Sequence, residues 1–271
     1  MKKTGINKIF DLTNKTVIVT GSAGKLGTEF SHTLSAAGAD VILLDIDAKK
    51  NKNLESDLAK QYHTRPKAYT IDISNEFALV RVVKDVVKKY GKIDALINNA
   101  FLNPSNSKKS SFGFEQYPKD LWDKAISINL TGVFLCCKII GGIMTKQRYG
   151  VIVNISSIYG IMGADQRIYG TSKLNSSASY AATKGGVVNL TRYLAAYWHR
   201  KNIRVNTMSL GGVLDKSYMS KEFIKNYSEK TMLGRMANKD EYNGALLFLI
   251  SDASSYMTGT NLVIDGGWTA W

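Results

Sequence analysis

Short apolar runs recur along the chain, each followed by a longer stretch with apolar residues every three or four positions. The runs fall near 16–20, 41–45, 68–72, 94–98, 150–155, 203–208 and 261–264. Their near-continuous apolar character suits strands covered on both faces. The stretches at 25–37, 48–62, 75–89, 118–147, 180–200 and 238–250 read as helices. In the fifth of these, Val187, Leu190, Leu194 and Tyr197 form a stripe at spacings of three, four and three. Alternation of strand and helix predicts parallel strands joined by βαβ crossovers. The expected fold is α/β: a single doubly wound (Rossmann-type) domain over 1–271, with a seven-stranded parallel sheet flanked by helices. Residues 101–117, 158–179 and 213–235 keep neither period. Each follows a strand, and in doubly wound sheets such loops gather over the ligand crevice.

Composition narrows the picture only a little. A chain of 271 residues with three prolines and no Gly/Ser-rich linker fits one large domain. Met1-Lys2-Lys3 opens with charge but no apolar segment follows, so a signal peptide is not expected. No unbroken run of 18 apolar residues occurs, so no membrane span is expected. The two cysteines, Cys136 and Cys137, are neighbours on a helix and point about 100° apart, which disfavours a disulfide. With His32, His63 and His199 scattered, no metal site is expected either. A reducing, cytoplasmic setting fits this pattern. The net charge of +14 fits a lysine-rich solvated surface, with an anionic small-molecule partner as the alternative. The lysines are spread rather than gathered with aromatic residues on one element, so a nucleic-acid partner is not expected.

Two motifs carry chemistry. The strand Val17-Ile18-Val19 runs into Thr20-Gly21-Ser22-Ala23-Gly24-Lys25-Leu26-Gly27, and an amphipathic helix follows. Glycines at such a turn let backbone amides approach a pyrophosphate seated on the positive end of the helix. The second strand ends in Asp45, 24 residues past Gly21, where a carboxylate can bond an adenosine ribose. Further on, Tyr180-Ala-Ala-Thr-Lys184 opens the striped helix. A spacing of four puts the phenol and the ammonium on one face. A cation there favours the phenolate and is expected to lower a pKa that normally lies near 10.

Tyr169-Gly-Thr-Ser-Lys173 repeats the Tyr-x-x-x-Lys spacing. Gly170, Thr171 and Ser172 form helices poorly, and a turn-like Leu-Asn-Ser-Ser-Ala-Ser follows. Tyr180 begins a long helix instead, with Ser179 as its expected N-cap.

Taken together, these residues resemble the short-chain dehydrogenase/reductase family from about residue 14 to 267. Asp72, Asn98-Asn99-Ala100, Asn129, Ser156-Ser157 and Asp265-Gly266-Gly267 stand in the family's order. The resemblance implies an NAD(P)-dependent enzyme interconverting an alcohol and a ketone. Tyr180 would be its proton donor, Lys184 would tune that tyrosine and bond the nicotinamide ribose, and Ser157 rather than Ser156 would bond the substrate oxygen. Asn129 would hold a water linking Lys184 to solvent. The cofactor site would comprise Gly21, Gly24, Lys25, Leu26, Gly27, Asp45, Asp72, Ile73, Asn99, Ala100, Tyr180, Lys184, Gly211 and Val213. Residues 213–235 would be a substrate lid, and the enzyme a homodimer or homotetramer.

Cofactor choice turns on Asp45. A 2′-phosphate about 5 Å from a carboxylate is repelled by roughly 3 kcal/mol per charge pair at an effective dielectric near 20, so NAD is expected. Lys25 works against this, because a cation near the loop could help NADP. Lys25 is also a departure from the family, occupying the place of the second glycine. Phe101 stands where a glycine is usual, Leu210 replaces a proline, and Asp215 replaces a threonine. The Ser-Ile-Tyr-Gly turn, the long 158–179 segment and the ending Asp-Gly-Gly-Trp-Thr-Ala-Trp resemble reductases of flagellin-glycan and nonulosonic-acid pathways. That subgroup implies a sugar phosphate or nucleotide sugar as substrate, and lysines in the lid would suit such an anionic sugar. A 3-oxoacyl thioester reductase and a non-catalytic nucleotide-binding protein are the alternatives.

Overall fold

The computed structural model describes residues 5–102, 112–172 and 174–271. After a short helix, α1 (Ile6–Ile9), strands and helices alternate as the sequence pattern requires. They run β1 (Thr16–Thr20), α2 (Lys25–Ala36), β2 (Asp40–Asp45), α3 (Ala48–Gln61), β3 (Lys67–Thr70), α4 (Glu76–Tyr90) and β4 (Ala95–Asn98). The second half comprises α5 (Lys119–Ile126), α6 (Val133–Gln147), β5 (Gly150–Ser157), α7 (Ala178–Tyr197), β6 (Ile203–Leu210), α8 (Lys221–Ser228), α9 (Asn243–Ile250) and β7 (Asn261–Ile264). All seven strands pair in parallel in the order β3-β2-β1-β4-β5-β6-β7. The winding reverses between β1 and β4, which opens a crevice at their carboxyl ends.

The central strands are apolar because both faces are covered. Ile18, Ile42, Leu96 and Ile152 face one layer with α4, α6 and α7, while Val17, Val19, Leu43 and Val153 face the other with α2, α3 and α9. A third, smaller core lies apart from the sheet, built from Ile158, Ile168, Tyr227, Met236 and Trp268. It joins the turn after β5, the 213–235 segment and the C-terminal residues. The Trp271 indole N–H donates to the Lys230 carbonyl at 3.1 Å, tying the chain end to that segment.

Two local differences from the sequence reading have physical causes. The α7 N-cap is Ser177, whose hydroxyl accepts from the Tyr180 amide at 3.3 Å. Ser179 is instead buried in the first helical turn, its hydroxyl 2.8 Å from the Tyr117 hydroxyl. Helix α9 begins at Asn243 rather than near 238, because the Glu241 carboxylate accepts from the Asn238 amide and the Arg235 guanidinium and holds that stretch as a turn. The helical run Lys119–Gln147 is, by length and composition alone, long and apolar enough to cross a membrane. In the fold its apolar face packs on the sheet through Leu135, Cys136, Ile140 and Met144.

The glycine loop after β1 tolerates no extra atoms at one point. A Cβ on Gly27 would lie 2.0 Å from the Gly21 carbonyl oxygen, whereas one on Gly142 of α6 would meet nothing within 4 Å. Gly27→Ala should therefore destabilise the protein by about 1–3 kcal/mol in urea unfolding. Gly142→Ala should leave it unchanged or stabilise it by up to about 1 kcal/mol.

Candidate active site

The loops at the crevice form two connected cavities. The larger, about 550 Å³, runs from the glycine loop across the ends of β2 and β3. Gly21 sits at φ 63°, and a Cβ there would strike the Ala100 backbone at 2.7 Å, so the β1 and β4 ends meet as bare backbone. Asn99 fastens that junction. Its amide donates to the Thr20 and Gly21 carbonyls at 3.1 and 3.0 Å, and the Thr20 hydroxyl accepts from the Asn99 and Ala100 amides, each at 3.0 Å. Gly24 caps α2, leaving the amides of the first turn facing the cavity. Gly27 lies buried beneath the loop.

Other expected residues take their places along this cleft. Asp45 lies on its wall, its two carboxylate oxygens accepting from the Ala23 and Asp47 amides at 2.9 Å each. Asp72 accepts from the amide and hydroxyl of Ser74 at 2.9 and 2.7 Å, and buried Ile73 follows it. Leu26 and Val213 border both cavities, whereas Gly211 borders only the smaller. Backbone donors at a helix start, a glycine cradle that a Cβ would fill and an acidic ribose partner together fit an adenine dinucleotide.

The smaller cavity, about 230 Å³, gathers the residues expected to carry the chemistry. Tyr180 and Lys184 project into it one turn apart on α7, and Ser157 reaches it from the end of β5. Lys184 is buried, its ammonium 5.7 Å from the Tyr180 ring centroid and 5.2 Å from that of Phe101, donating to the Ile155 carbonyl at 2.8 Å. The Ser156 hydroxyl is committed to the Lys184 carbonyl at 2.9 Å, which leaves Ser157 as the serine facing Tyr180. Asn129 sits in a π-helical turn, Ser127–Gly132, between α5 and α6. Such turns mark functional positions in helices. Its amide group brackets Leu102, accepting from that residue's amide at 2.6 Å and donating to its carbonyl at 2.8 Å.

Tyr169 closes a 3₁₀ turn, Gln166–Tyr169, and Gly170 follows at φ 52°, so no helix continues to carry the second Tyr-x-x-x-Lys. The Tyr169 ring packs on Phe223, with centroids 5.3 Å apart. Lys173 lies outside the described residues, as do positions 103–111 of the 101–117 segment.

Burial governs both titrating groups. It raises the Tyr180 phenol above its ordinary value, against the pull of the Ser157 hydrogen bond, so the expected lowering by Lys184 does not prevail here. It also lowers the Lys184 ammonium to about 8. The phenol is thus protonated at neutral pH and suited to donate.

Lys25 pairs with Asp215 across the larger cavity, so two of the sequence departures meet in one ion pair. Sequence reasoning missed two roles. Thr20 fastens the switch point, and Tyr159 has a buried hydroxyl without a partner among the described residues and borders the smaller cavity. Tyr218, an aromatic residue of the 213–235 segment, borders both cavities. Tyr159 lies in the quoted Ser-Ile-Tyr-Gly turn, where its pairing state could not be read.

The family model described as enoyl-(acyl carrier protein) reductase matches residues 21–269. The chain belongs to the short-chain dehydrogenase/reductase family. It is 34% identical over 269 residues to an NAD-dependent glycerol dehydrogenase of Listeria innocua, covering 98% of each chain. It is 28% identical to post-translational flagellin modification protein A of Campylobacter coli over 257 residues, 95% of this chain and 99% of that one. The structure of an NAD⁺-bound xylitol dehydrogenase superposes with a TM-score of 0.84 at 28% identity, over 94% of this chain and 99% of that one. The protein is accordingly an oxidoreductase acting between alcohol and carbonyl oxidation states.

Tyr180→Phe should lower kcat about 10²–10⁴-fold, the usual contribution of a positioned proton donor, while dinucleotide affinity changes little. Tyr169→Phe should retain activity within a few-fold, and the reverse outcome would transfer the role to Tyr169.

The buried lysine also predicts a pH dependence. Its folded value, about 8, lies below the unfolded 10.5, so it disfavours the fold fully below pH 8 and progressively less as pH rises towards 10.5. The stability gained by Lys184→Met in the cofactor-free protein should be at most about 3 kcal/mol at pH 7 and should shrink by pH 10. Urea unfolding at the two pH values measures it.

Proposed function

We propose that the protein is an NAD(H)-dependent oxidoreductase that interconverts a neutral polyhydroxylated alcohol and its ketone. The lining of the smaller cavity carries this reading. Tyr159, Tyr169, Tyr218, Phe223 and Tyr227 surround Ser157 and Tyr180, and Lys184 is the sole charged side chain among the described lining residues. Aromatic faces and phenolic hydroxyls suit a hydroxylated carbon chain. The unpartnered Tyr159 hydroxyl would gain a partner from a second substrate hydroxyl.

Three of the five cations in the 213–235 segment have acidic partners outside the smaller cavity. Lys230 pairs with Asp165 at 3.2 Å, Arg235 with Glu241 at 2.6 Å, and Lys225 lies 3.9 Å from Glu229. A phosphate in the pocket would find no cation besides Lys184 among the described lining residues, which weighs against the sugar-phosphate and nucleotide-sugar reading. The glycerol and xylitol dehydrogenases named above act on polyols, and they lend the neutral reading further support.

The glycine loop, Asp45 and Leu26 would hold a nicotinamide dinucleotide in the larger cavity, and it would supply or accept the hydride. In reduction, the Ser157 hydroxyl donates to the carbonyl oxygen and polarises it. The Tyr180 hydroxyl transfers its proton to that same oxygen as the alcohol forms, and in oxidation it takes the proton back. Lys184, held by the Ile155 carbonyl, keeps a positive charge below the phenol and favours its ionised form once the proton leaves. Asn129 fixes the loop at Leu102 beside the cleft.

NAD is the proposed cofactor because Asp45 faces the ribose position while Lys25, the nearby cation of the glycine loop, is occupied by Asp215. The proposal includes a homodimer or homotetramer in the cytoplasm. Exposed Tyr193 and Tyr197, stacked at 5.8 Å on α7, offer an apolar face for self-association.

A substrate panel followed at the nicotinamide absorbance tests the reading. Neutral polyols and ketoses should turn over with higher kcat/KM than their phosphorylated forms, nucleotide sugars or a 3-oxoacyl thioester. NAD(H) should be preferred over NADP(H) at least tenfold, and Asp45→Ala should narrow that gap. Preference for a phosphorylated or nucleotide-linked sugar would restore the anionic reading.

A further inference from the structure

We propose that the Lys25–Asp215 ion pair sets the affinity of the larger cavity for its dinucleotide, Lys25 shielding the diphosphate from a fixed negative charge on the opposite wall. This rests on the dinucleotide reading of that cavity. Lys25 is the first residue of α2, next to the Gly24 cap where backbone donors favour a diphosphate. Asp215 comes from the other side, five residues past the end of β6 at the root of the 213–235 segment. Both side chains border the same cavity.

Asp215 is not free to turn away. One carboxylate oxygen accepts from the amide and the hydroxyl of Ser217 at 3.0 and 2.5 Å, and the other accepts from the Lys25 ammonium. The Tyr218 ring lies beside the Lys25 ammonium, its centroid 5.9 Å away, and favours the cation's position against Asp215. Lys25 and Ser217 hold the Asp215 carboxyl down at about 2, so it stays ionised at any working pH. A cavity that must accept two phosphate charges thus carries a restrained carboxylate on its wall, with the Lys25 ammonium set directly against it. The same pair bridges the glycine loop to the root of the lid, so the cation reaches the diphosphate only from a position that already neutralises Asp215.

A double-mutant cycle on cofactor binding tests this, with dissociation constants for NADH taken from fluorescence titration. Lys25→Ala should weaken binding at least tenfold, because Asp215 then faces the diphosphate alone. Asp215→Asn should leave affinity equal or raise it. The double variant should return to within about threefold of the unmodified protein, and Lys25→Arg should retain affinity. Adenosine, which lacks the diphosphate, should bind all variants alike in an NMR titration.

Unchanged NADH affinity in Lys25→Ala would overturn the proposal. So would a double variant as weak as Lys25→Ala, because Asp215 would then be irrelevant. Equal weakening of adenosine and NADH would also overturn it, showing damage to the cleft rather than loss of shielding. Failure of the unmodified protein to bind NADH or NADPH would instead overturn the dinucleotide reading itself.

Discussion

The site depends on the direct contact between the ends of β1 and β4. Gly21 presses against Ala100 with no room for a side chain, and Asn99 and Thr20 lock the two strand ends through four hydrogen bonds. These groups are buried, so each unmade bond would leave an unsatisfied donor or acceptor. Only with the junction closed do the α2 amides, Asp45 and the loop after β4 converge on one cleft. The second cavity then follows from β5 and α7, which lie on the far side of the same switch point.

Much of this was legible in the sequence because its signals are local. Continuous apolar runs located the seven strands, and the stripe on 180–200 located the helix that carries Tyr180 and Lys184. Glycines at 21, 24 and 27 marked a turn with no space for side chains. The choice of Tyr180 over Tyr169 also followed from local propensity, because Gly170 breaks the helix that Tyr169 would need. Boundary errors arose where a side chain from a neighbouring turn decided the outcome, as Glu241 does ahead of α9 and Ser177 does ahead of α7.

What the sequence could not carry was pairing between distant segments. Lys25 and Asp215 are far apart in the chain; read alone, Lys25 is a cation that could help NADP and Asp215 an acid in place of a threonine. Their contact joins the two departures in one ion pair. The lid lysines read alone suit an anionic sugar, but Asp165 and Glu241, outside the 213–235 segment, hold two of its cations. Burial, likewise invisible in a motif, reversed the expected direction for the Tyr180 phenol.

The small core around Tyr227 and Trp268 stands apart from both faces of the sheet. Tyr180, Lys184 and Ser157, the proposed proton-transfer residues, are anchored in the main cores through β5 and α7, whereas the walls proposed to recognise substrate rest on this satellite and on residues 268–271, through Tyr227 against Trp268 at 4.3 Å and Trp271 against Lys230. The two parts of the pocket therefore have separate foundations. Substitutions at 268–271 would reshape its walls while leaving β5 and α7 in place, so a substrate range could drift there without first disturbing the residues proposed to carry the reaction.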